Sequence, residues 1–425
     1  MTPVILTTFL VLMALSVPVA ISIGLASVVG VQFFSNSPML VVAQQLFVSI
    51  DKFPLVAIPF FILSGNLMEA GGISERLVHF ARSLIGGVQG GLAMSCVVTC
   101  MIFAAVSGSS VATTFAIGAI LIPAMVKLGY PVTKAAALQA TSAELGVIIP
   151  PSIPMILYGV SAEVSVGELF IAGFGPGFLI GGALMLAVYV WCRFTGHGQR
   201  DAEGRLTVGP AFRQAWLALL MPVVVLGGIY GGIFTPTEAS VIAVFYALFL
   251  GMGVYRRIGF ADLGRILHKT VVSTTVIMFI IATAGLFAFL ISRAGIPAQI
   301  GNWIVANFDS GLMFLVGVNV FLFFIGMFIE TGAAIVILAP ILAPVAVQFG
   351  IDPVHFGIIM VVNLALGMIT PPFGVNLFAA CSVAKISYDR IVLPILPFVG
   401  VIVVCLAIIT AVPQLSLFLR DLAYR

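Results

Sequence analysis

Two Pro-Pro pairs interrupt hydrophobic segments of the chain: Pro150-Pro151 in SAELGVIIPPS and Pro371-Pro372 in NLALGMITPPF, 221 positions apart. Proline has no backbone N–H, so it cannot bond the carbonyl group four residues earlier in a helix. The carbonyls released in this way belong to Gly146, Val147, Gly367 and Met368. In hydrocarbon a free carbonyl is costly unless buried protein, water or a cation satisfies it. Paired broken helices of this kind predict the binding site of a secondary transporter.

A second pair of breaks is polar. The segments VSGSSVATT (106–114) and FIETGAA (328–334) each separate two apolar runs of about half a membrane span, so each predicts the tip of a re-entrant hairpin. Hydroxyl and carbonyl oxygens at such a tip suit a hard cation. The alternative is that these small residues only pack helices together, which is common in membranes. Because each tip is followed about 40 residues later by a Pro-Pro pair, we favour a binding role.

Each tip combined with its broken helix predicts one sodium site. The first would use Ser107, Gly108, Ser110, Gly146, Ile149 and Pro151, and the second Glu330, Thr331, Gly332, Gly367, Thr370 and Pro372. A helix that ends at a break presents a negative dipole end to a cation, and a helix that begins there presents a positive end to an anion. The candidate residues for binding an anionic substrate are Ser109, Thr113, Ser152, Asn363 and Asn376. Pro150 and Pro371 are further candidates, because they hold the breaks open.

Carboxylates within apolar segments are functional candidates by default. Three roles are open for Glu144: accepting bonds from the opposite hairpin, responding to sodium, or capping a helix. Glu330 lies on a hairpin tip, where it either binds an ion or faces solvent. Glu238, in GGIFTPTEAS, is expected to form a capping box with Thr235 or Thr237.

The composition places these features in a membrane. The chain is 61% hydrophobic and only 8% charged, which indicates an all-α polytopic membrane protein. Its apolar segments are too long for the strands of an outer-membrane barrel. The five cysteines form no CxxC pair and the four histidines no HExxH motif, so we expect no transition-metal site. Sodium ions, bound through the freed carbonyls, are the expected coupling ions, and no organic cofactor is expected. A net charge of +3 predicts no nucleic-acid partner.

Hydrophobic runs predict the membrane segments. They lie at about 3–34, 53–69, 90–127, 133–162, 166–194, 212–232, 236–256, 271–292, 311–349, 354–384 and 389–419. The first is expected to be one helix bent near Pro18. Four are too long or too interrupted for one span, namely 90–127, 133–162, 311–349 and 354–384. The stretch Ser74–Leu84 mixes basic and apolar residues, which predicts a helix lying in the membrane interface.

Basic residues predict the orientation of the central helices. One group, Arg193, Arg200, Arg205 and Arg213, precedes a helical hairpin, and a second group, Arg256, Arg257, Arg265 and Lys269, follows it. The positive-inside rule places both groups in the cytoplasm. The turn of the hairpin, 231–240, is then expected on the opposite side.

The two halves of the chain are related. At an offset of 221, Pro123, Gly146, Pro150 and Pro151 match Pro344, Gly367, Pro371 and Pro372. Repeats in transporters are usually inverted across the membrane. We therefore divide the chain into an N-terminal scaffold and interfacial helix (1–52), repeat 1 (53–194), central cytoplasmic loops with a scaffold hairpin (195–270), and repeat 2 with the C-terminal helix (271–425).

Five motifs together resemble those of the large membrane subunit of tripartite ATP-independent periplasmic (TRAP) transporters, the DctM family. They are GSSVATT, SAELGVIIPPS, GGIFTPTEAS, ETGAAIVILAP and NLALGMITPPFGVNLF, and the resemblance covers essentially the whole chain. It implies a sodium-coupled transporter of elevator-type architecture in the bacterial inner membrane. It also implies a small four-helix membrane subunit, a soluble periplasmic binding protein, and a carboxylate substrate such as sialic acid, a dicarboxylate or another sugar acid.

Three other classes of protein share some of these sequence features. The main alternative is a single-component sodium-coupled carboxylate or anion transporter, which shares the repeat but would need no binding protein. A membrane-embedded enzyme is disfavoured, because the apolar segments contain no cluster of His, Asp or Glu. A passive channel is disfavoured, because the paired breaks carry no ring of pore-lining charge.

Overall fold

The computed structural model describes residues 2–34, 37–198, 207–307 and 310–424, and these form helices and connecting turns with no β-strand. The helices of the first half are α1 (Thr2–Ala14), α2 (Val19–Phe34), α3 (Leu40–Ile50), α4 (Ala57–Ala70), α5 (Ile73–Ile85), α6 (Gly91–Ser107), α7 (Ser110–Lys127), α8 (Val132–Ala143), α9 (Leu145–Ile148), α10 (Ile153–Ser161), α11 (Val166–Ala172) and α12 (Phe174–Thr195). Those of the second half are α13 (Val208–Tyr230), α14 (Pro236–Leu248), α15 (Phe260–Arg293), α16 (Ile296–Asn307), α17 (Gly311–Gly326), α18 (Thr331–Gln348), α19 (Pro353–Met368), α20 (Val375–Ala384), α21 (Asp389–Ala411) and α22 (Gln414–Ala423). A 3-10 turn (Phe53–Val56) precedes α4, and a π-helical turn (Phe249–Val254) follows α14.

Many of these helices are long and apolar enough to cross a membrane. The described residues contain 8 such helices, or up to 9 spans if the pair Val132–Ile148 and Ile153–Ser161, bent by 43°, counts as one. The predicted all-α polytopic fold is therefore confirmed. Arg200 and Arg205, which contributed to the predicted orientation, lie outside the described residues.

The N-terminal segment differs from the prediction of one helix bent near Pro18. Instead, α1 and α2 fold back on each other as a hairpin, since the side chain of Ile5 packs directly against Gly30. Both helices contribute to one apolar cluster with α15. The chain reverses at Ser16, whose φ of 61° is left-handed, and Pro18 lacks the N–H that would continue the helix.

The helix α15 is longer than the predicted segment 271–292 and runs through the predicted domain boundary at 270. Charged side chains suggested a loop before residue 271, but they lie on the surface of a continuous helix. Lys269 pairs with Glu69 on α4 at 2.9 Å, and Arg265 with Asp262 one turn earlier at 3.5 Å. Ion pairs can form on the exposed face of a helix without interrupting it. The charged residues before position 271 therefore mark the end of the apolar run, whereas the helix itself continues.

The C-terminal segment 389–419 is two helices and not one, because α21 ends at Ala411 and Pro413 precedes α22. Arg420 on α22 bonds Asp352 at the start of α19 at 2.6 Å. The capping box predicted for Glu238 is present: its carboxylate accepts the amide of Thr235 at 2.8 Å, and the Thr235 hydroxyl accepts the amide of Glu238 at 3.3 Å.

Two helical hairpins and two broken helices position the candidate site. The hairpin α6–α7 turns at Gly108-Ser109, and Gln139 on α8 contacts both of its arms, at Cys96 and at Thr113. The hairpin α17–α18 is closed at its far end by the rings of Phe314 and Phe349, whose centroids are 5.0 Å apart. The broken helices are α8–α9–α10 and α19–α20, with the Pro-Pro pairs in the gaps.

Candidate functional site

The first hairpin tip is a two-residue turn whose polar groups bond to one another. Gly108 ends α6 with a φ of 62°, a left-handed conformation that favours glycine. Ser109 caps α7, because its hydroxyl accepts the Ala112 amide at 3.4 Å. The Thr113 hydroxyl donates to the Ser109 carbonyl at 2.8 Å and lies 2.9 Å from the Ser107 hydroxyl. The hydroxyl oxygens of Ser107 and Thr113 and the carbonyl oxygen of Ser109 thus lie close together at the tip.

The first Pro-Pro break lies directly against this tip. The amide of Ile153 donates to the Gly108 carbonyl at 3.3 Å. A Cβ atom placed on Gly146 would lie 2.7 Å from the Thr113 hydroxyl, and one on Gly108 would lie 3.0 Å from the Pro151 carbonyl oxygen. The structure therefore places Gly146 and Pro151 beside the tip oxygens. Ile149 is extended between α9 and α10, and its side chain packs against Gly177 of α12.

Of the two carbonyls expected to be free at this break, that of Gly146 has no recorded donor among the described residues and that of Val147 has one. Pro150 occupies the position that would donate to Gly146. The Val147 carbonyl, however, accepts the Ser152 hydroxyl at 2.6 Å. The same hydroxyl accepts the Met155 amide at 3.3 Å and so caps α10. Ser152 is fully buried in this double role and does not present its hydroxyl to the cavity as a substrate donor. The Pro150–Pro151 and Pro371–Pro372 bonds are both cis.

The second tip contains a buried hydroxyl group with no partner. The Glu330 carboxylate accepts the Ala333 amide at 3.2 Å and so caps α18. Glu330 itself is exposed. Thr331 is only 1% exposed, and its hydroxyl has no hydrogen-bond partner among the described residues. Since leaving a buried polar group unpaired is costly, the Thr331 hydroxyl is well placed to bind a group that comes from outside the protein.

The second break is closed more tightly than expected. The Gly367 carbonyl accepts the Thr370 amide at 3.0 Å, and the Thr370 hydroxyl donates to the Leu366 carbonyl at 2.7 Å. The carbonyl of Pro372 accepts the Tyr388 hydroxyl at 2.9 Å. The Leu366 carbonyl also accepts the Ile369 amide at 3.3 Å, whereas the Pro372 carbonyl keeps a second lone pair for another ligand. The break also meets its tip, since the rings of Phe328 and Phe373 lie 5.8 Å apart.

Both tips and both breaks line one cavity of about 90 Å³. Ser109 and Ser110 face it from the first tip, and Thr331 and Gly332 from the second. Glu330 also lines it from the second tip, and many of the other lining residues are apolar, among them Val147, Met368, Leu157 of α10, and Ile277, Ile280 and Ile281 of α15. The sequence did not single out the α15 residues, because apolar side chains within an apolar helix carry no distinguishing signal. No Lys, Arg or His is among the lining residues.

The two asparagines expected to bind substrate lie away from this cavity. Asn363 donates to the Asn319 side chain of α17 at 2.7 Å and faces a different, apolar groove near Thr410. Asn376 is fully buried and donates to the Glu144 carboxyl group at 2.6 Å. Glu144 thus accepts a bond from the opposite half of the chain, although from α20 and not from a hairpin.

The fold is similar to those of two solved transport proteins. It is similar to the YdaH transporter of Alcanivorax borkumensis, with a TM-score of 0.67 and 15% identity over 89% of each chain. It is also similar to the efflux pump MtrF of Neisseria gonorrhoeae, with a TM-score of 0.62 and 13% identity over 96% of this chain and 94% of that one. At these identities the likeness concerns the fold alone.

Sequence comparison narrows the class to one family. Residues 6–415 match the family described as the tripartite ATP-independent periplasmic transporter, DctM component. The C4-dicarboxylate TRAP transporter large permease protein DctM of Rhodobacter capsulatus is 40% identical over 97% of both chains. The sialic acid TRAP transporter large permease protein SiaM of Vibrio cholerae is 37% identical over 89% of both. The chain belongs to this family of large permeases: it is a polytopic inner-membrane transport protein and not an enzyme, as predicted.

Proposed function

We propose that this chain is the permease of a sodium-driven importer, which takes up a small carboxylate delivered by a soluble periplasmic binding protein. The observation that carries the proposal is the single cavity shared by both hairpin tips and both broken helices. Sodium would bind at the two tip-and-break pairs through hydroxyl and backbone oxygens. The unpartnered Thr331 hydroxyl and the undonated Gly146 carbonyl are the groups that support this assignment most directly.

An anionic substrate suits the same cavity because three helices begin at it. They are α7 at Ser110, α10 at Ile153 and α18 at Thr331, and all three first residues line the cavity. A helix N-terminus has a positive dipole end, which favours anions, although at α10 the Ile153 and Met155 amides already donate to the Gly108 carbonyl and the Ser152 hydroxyl. Since Glu330 lines the cavity and no cationic side chain does, bound sodium ions would supply the positive charge that an anionic substrate requires. Because the protein offers no cationic side chain to the anion, binding of the anion would depend on bound sodium, and its transport would be coupled to that of sodium.

The substrate class follows from the relatives as well as from the cavity. Similar permeases are named for C4-dicarboxylate, sialic acid and 2,3-diketo-L-gulonate, so we propose sialic acid, a dicarboxylate or another sugar acid for this chain. A cavity of about 90 Å³ is smaller than the roughly 300–1,000 Å³ of typical ligand pockets. Admission of such a substrate therefore requires the two tips to move apart from each other or from α15.

Two partners complete the proposed importer. A small four-helix membrane subunit would brace the scaffold while the hairpins and broken helices move as one block, in the elevator manner. A fused relative, the isethionate TRAP transporter permease protein DctMQ of Oleidesulfovibrio alaskensis, is 42% identical over 98% of this chain but only 66% of its own length. The binding protein would capture the substrate and pass it to the tips. The alternative is a single-component sodium–carboxylate transporter.

Uptake into proteoliposomes tests the proposal and its alternative. We expect accumulation of a labelled carboxylate only when the permease, the small membrane subunit and the loaded binding protein are all present, and only with an inward sodium gradient. Replacing sodium by potassium should abolish uptake. Equal uptake driven by a proton gradient alone would overturn the sodium coupling. Efficient, micromolar-affinity uptake by the permease without either partner would favour the single-component transporter.

A further inference from the structure

A buried chain of hydrogen bonds connects the two halves of the protein behind the first tip. Its central member is Asn376, in the first turn of α20. The Asn376 amide nitrogen donates to the Glu144 carboxyl group at 2.6 Å and to the Ala140 carbonyl at 3.3 Å, and its amide oxygen accepts the Thr114 hydroxyl at 2.7 Å. Glu144, Thr114 and Asn376 are all completely buried. Both ends of one side-chain amide from the second half are therefore bound to the first half.

The two partners of Asn376 in this chain of hydrogen bonds, Thr114 and Glu144, both lie next to residues of the first candidate sodium site. The Thr114 hydroxyl, whose one proton is shared between two acceptors, also lies 3.0 Å from the carbonyl of Ser110, and Ser110 is the first residue of α7 and a predicted ligand. Glu144 lies at the junction of α8 and α9, two residues before Gly146. A shift of the first tip or of the first break therefore moves a bonding partner of Asn376.

The other end of the connection is the second candidate site. Asn376 follows Pro372 by four residues, and α20 begins where the second break ends. If α20 moved relative to α7 and α8, Glu144 and Asn376 would become unpaired in a buried, apolar environment. Such a loss costs more than the bond contributes when it is made. The three helices are therefore held in one arrangement as long as the chain of bonds is intact.

The internal repeat does not account for this contact. At the offset of 221, the counterparts of Glu144, Thr114 and Asn376 are Ala365, Ile335 and Met155. None of these side chains can form the same bonds. The connection therefore exists at the first tip and has no equivalent at the corresponding positions of the second, although the two halves are otherwise related.

We propose that the Glu144–Asn376–Thr114 chain couples the two cation sites, so that sodium bound at one site raises the affinity of the other. This inference rests on the sodium sites of the proposed function. Asn376 and Glu144 act as positioning residues, because they hold α7, α8 and α20 in the arrangement that both sites require. Coupling between sites in proteins changes affinity by about 5- to 150-fold. We expect an effect of about tenfold here, near the lower end of that range.

The test is the sodium dependence of the thermal stability of the permease, purified together with its small membrane subunit. We expect the wild-type protein to respond with a Hill coefficient above unity. The double variant Glu144→Leu/Asn376→Leu replaces both partners by apolar side chains, which avoids leaving a buried polar group unpaired. It should fold, bind sodium with a Hill coefficient of unity and require about tenfold more sodium for half-saturation.

Two further variants keep the test decisive. Thr114→Val preserves the side-chain shape and removes the hydroxyl that contacts Asn376 and the Ser110 carbonyl, so it should also lower the Hill coefficient. The control is His355→Leu/Ser416→Ala, which removes another buried contact between helices (3.3 Å) at the end of α19 remote from the break. The control should keep the wild-type Hill coefficient even if it lowers thermal stability.

The possible outcomes separate this inference from the proposed function. Sodium binding that is non-cooperative in the wild type, or equally cooperative in the Glu144/Asn376 and Thr114 variants, would overturn the coupling and leave the sodium sites standing. A wild-type protein whose stability shows no dependence on sodium would overturn the sodium sites, and the coupling with them.

Discussion

Gly367 of α19 lies directly against the backbone of Gly326 at the end of α17. A Cβ atom on Gly367 would come within 2.5 Å of the Gly326 Cα atom, a distance that real Cβ contacts essentially never show. This close approach places the second break beside the second tip. At residue 367 there is therefore no room even for the methyl group of alanine.

We therefore expect Gly367→Ala to destabilise the protein by about 1–3 kcal/mol, the typical cost of forcing an extra methyl group into a packed site. The measurement is thermal unfolding of the purified permease. Gly400→Ala is the matched control, because Gly400 is also helical but has no neighbouring atom within 4 Å of an added Cβ. In a helix interior alanine is favoured over glycine by about 1 kcal/mol, so the control should be neutral or slightly stabilising. Equal effects of the two substitutions would contradict the packing argument.

The buried hydroxyl of Thr331 predicts a loss of sodium affinity without a loss of stability. Thr331→Val keeps the shape of the side chain and removes a hydroxyl that has no protein partner. We expect the sodium concentration for half-maximal uptake to rise by about tenfold, equivalent to about 1.4 kcal/mol. Thr99→Val is the control, since the Thr99 hydroxyl is equally buried but already donates to the Ser95 carbonyl at 2.6 Å. An unchanged sodium dependence in Thr331→Val would remove Thr331 from the site.

Ser152 should prove more important for stability than an ordinary helix cap. Ser152→Ala removes the cap of α10 and leaves the Val147 carbonyl buried and unpaired, so we expect a loss of roughly 2 kcal/mol. Ser165→Ala removes only the cap of α11, where the hydroxyl accepts the Glu168 amide at 3.3 Å on the exposed surface. That change should cost about 1 kcal/mol or less. The comparison requires the midpoints of thermal or denaturant unfolding, and the reverse order would refute the double role of Ser152.

The prolines of the two breaks should affect sodium dependence to different extents. Pro150→Ala supplies an amide donor for the Gly146 carbonyl, so we expect weaker sodium binding at matched protein levels. Pro371→Ala should have a smaller effect, because the Gly367 carbonyl already accepts the Thr370 amide. Both variants would be compared by sodium titration of uptake in proteoliposomes.

Pro222→Ala serves as the control for that comparison, since Pro222 lies inside α13 and not at the cavity. It should leave the sodium titration unchanged. If neither Pro150→Ala nor Pro371→Ala alters the sodium affinity, the ions do not bind at the breaks.

The positions of the tips and breaks could be predicted from the sequence because their causes are local. Two successive prolines remove two adjacent N–H donors and interrupt the helix at each break, whereas single prolines such as Pro123 and Pro222 lie inside α7 and α13. Gly108 permits the left-handed turn of the first tip. The capping box of Thr235 and Glu238 also depends on residues only three positions apart. The motifs and the hydrophobic composition likewise sufficed to predict an all-α membrane protein of the DctM family, which the comparisons confirm.

Other features depend on contacts between residues that are far apart in the chain, and such contacts leave no local pattern. Asn376 bonds Glu144 across 232 positions, which turns an expected substrate donor into a buried link between the halves. Ile5 packing on Gly30 turns an expected bent helix into a hairpin. The sequence by itself determined where the two Pro-Pro breaks and the first tip lie, since those depend on the backbone chemistry of a few adjacent residues. Only the tertiary structure decided that both tips and both breaks face one cavity, because the partner of a buried polar group is set by the packing of whole helices.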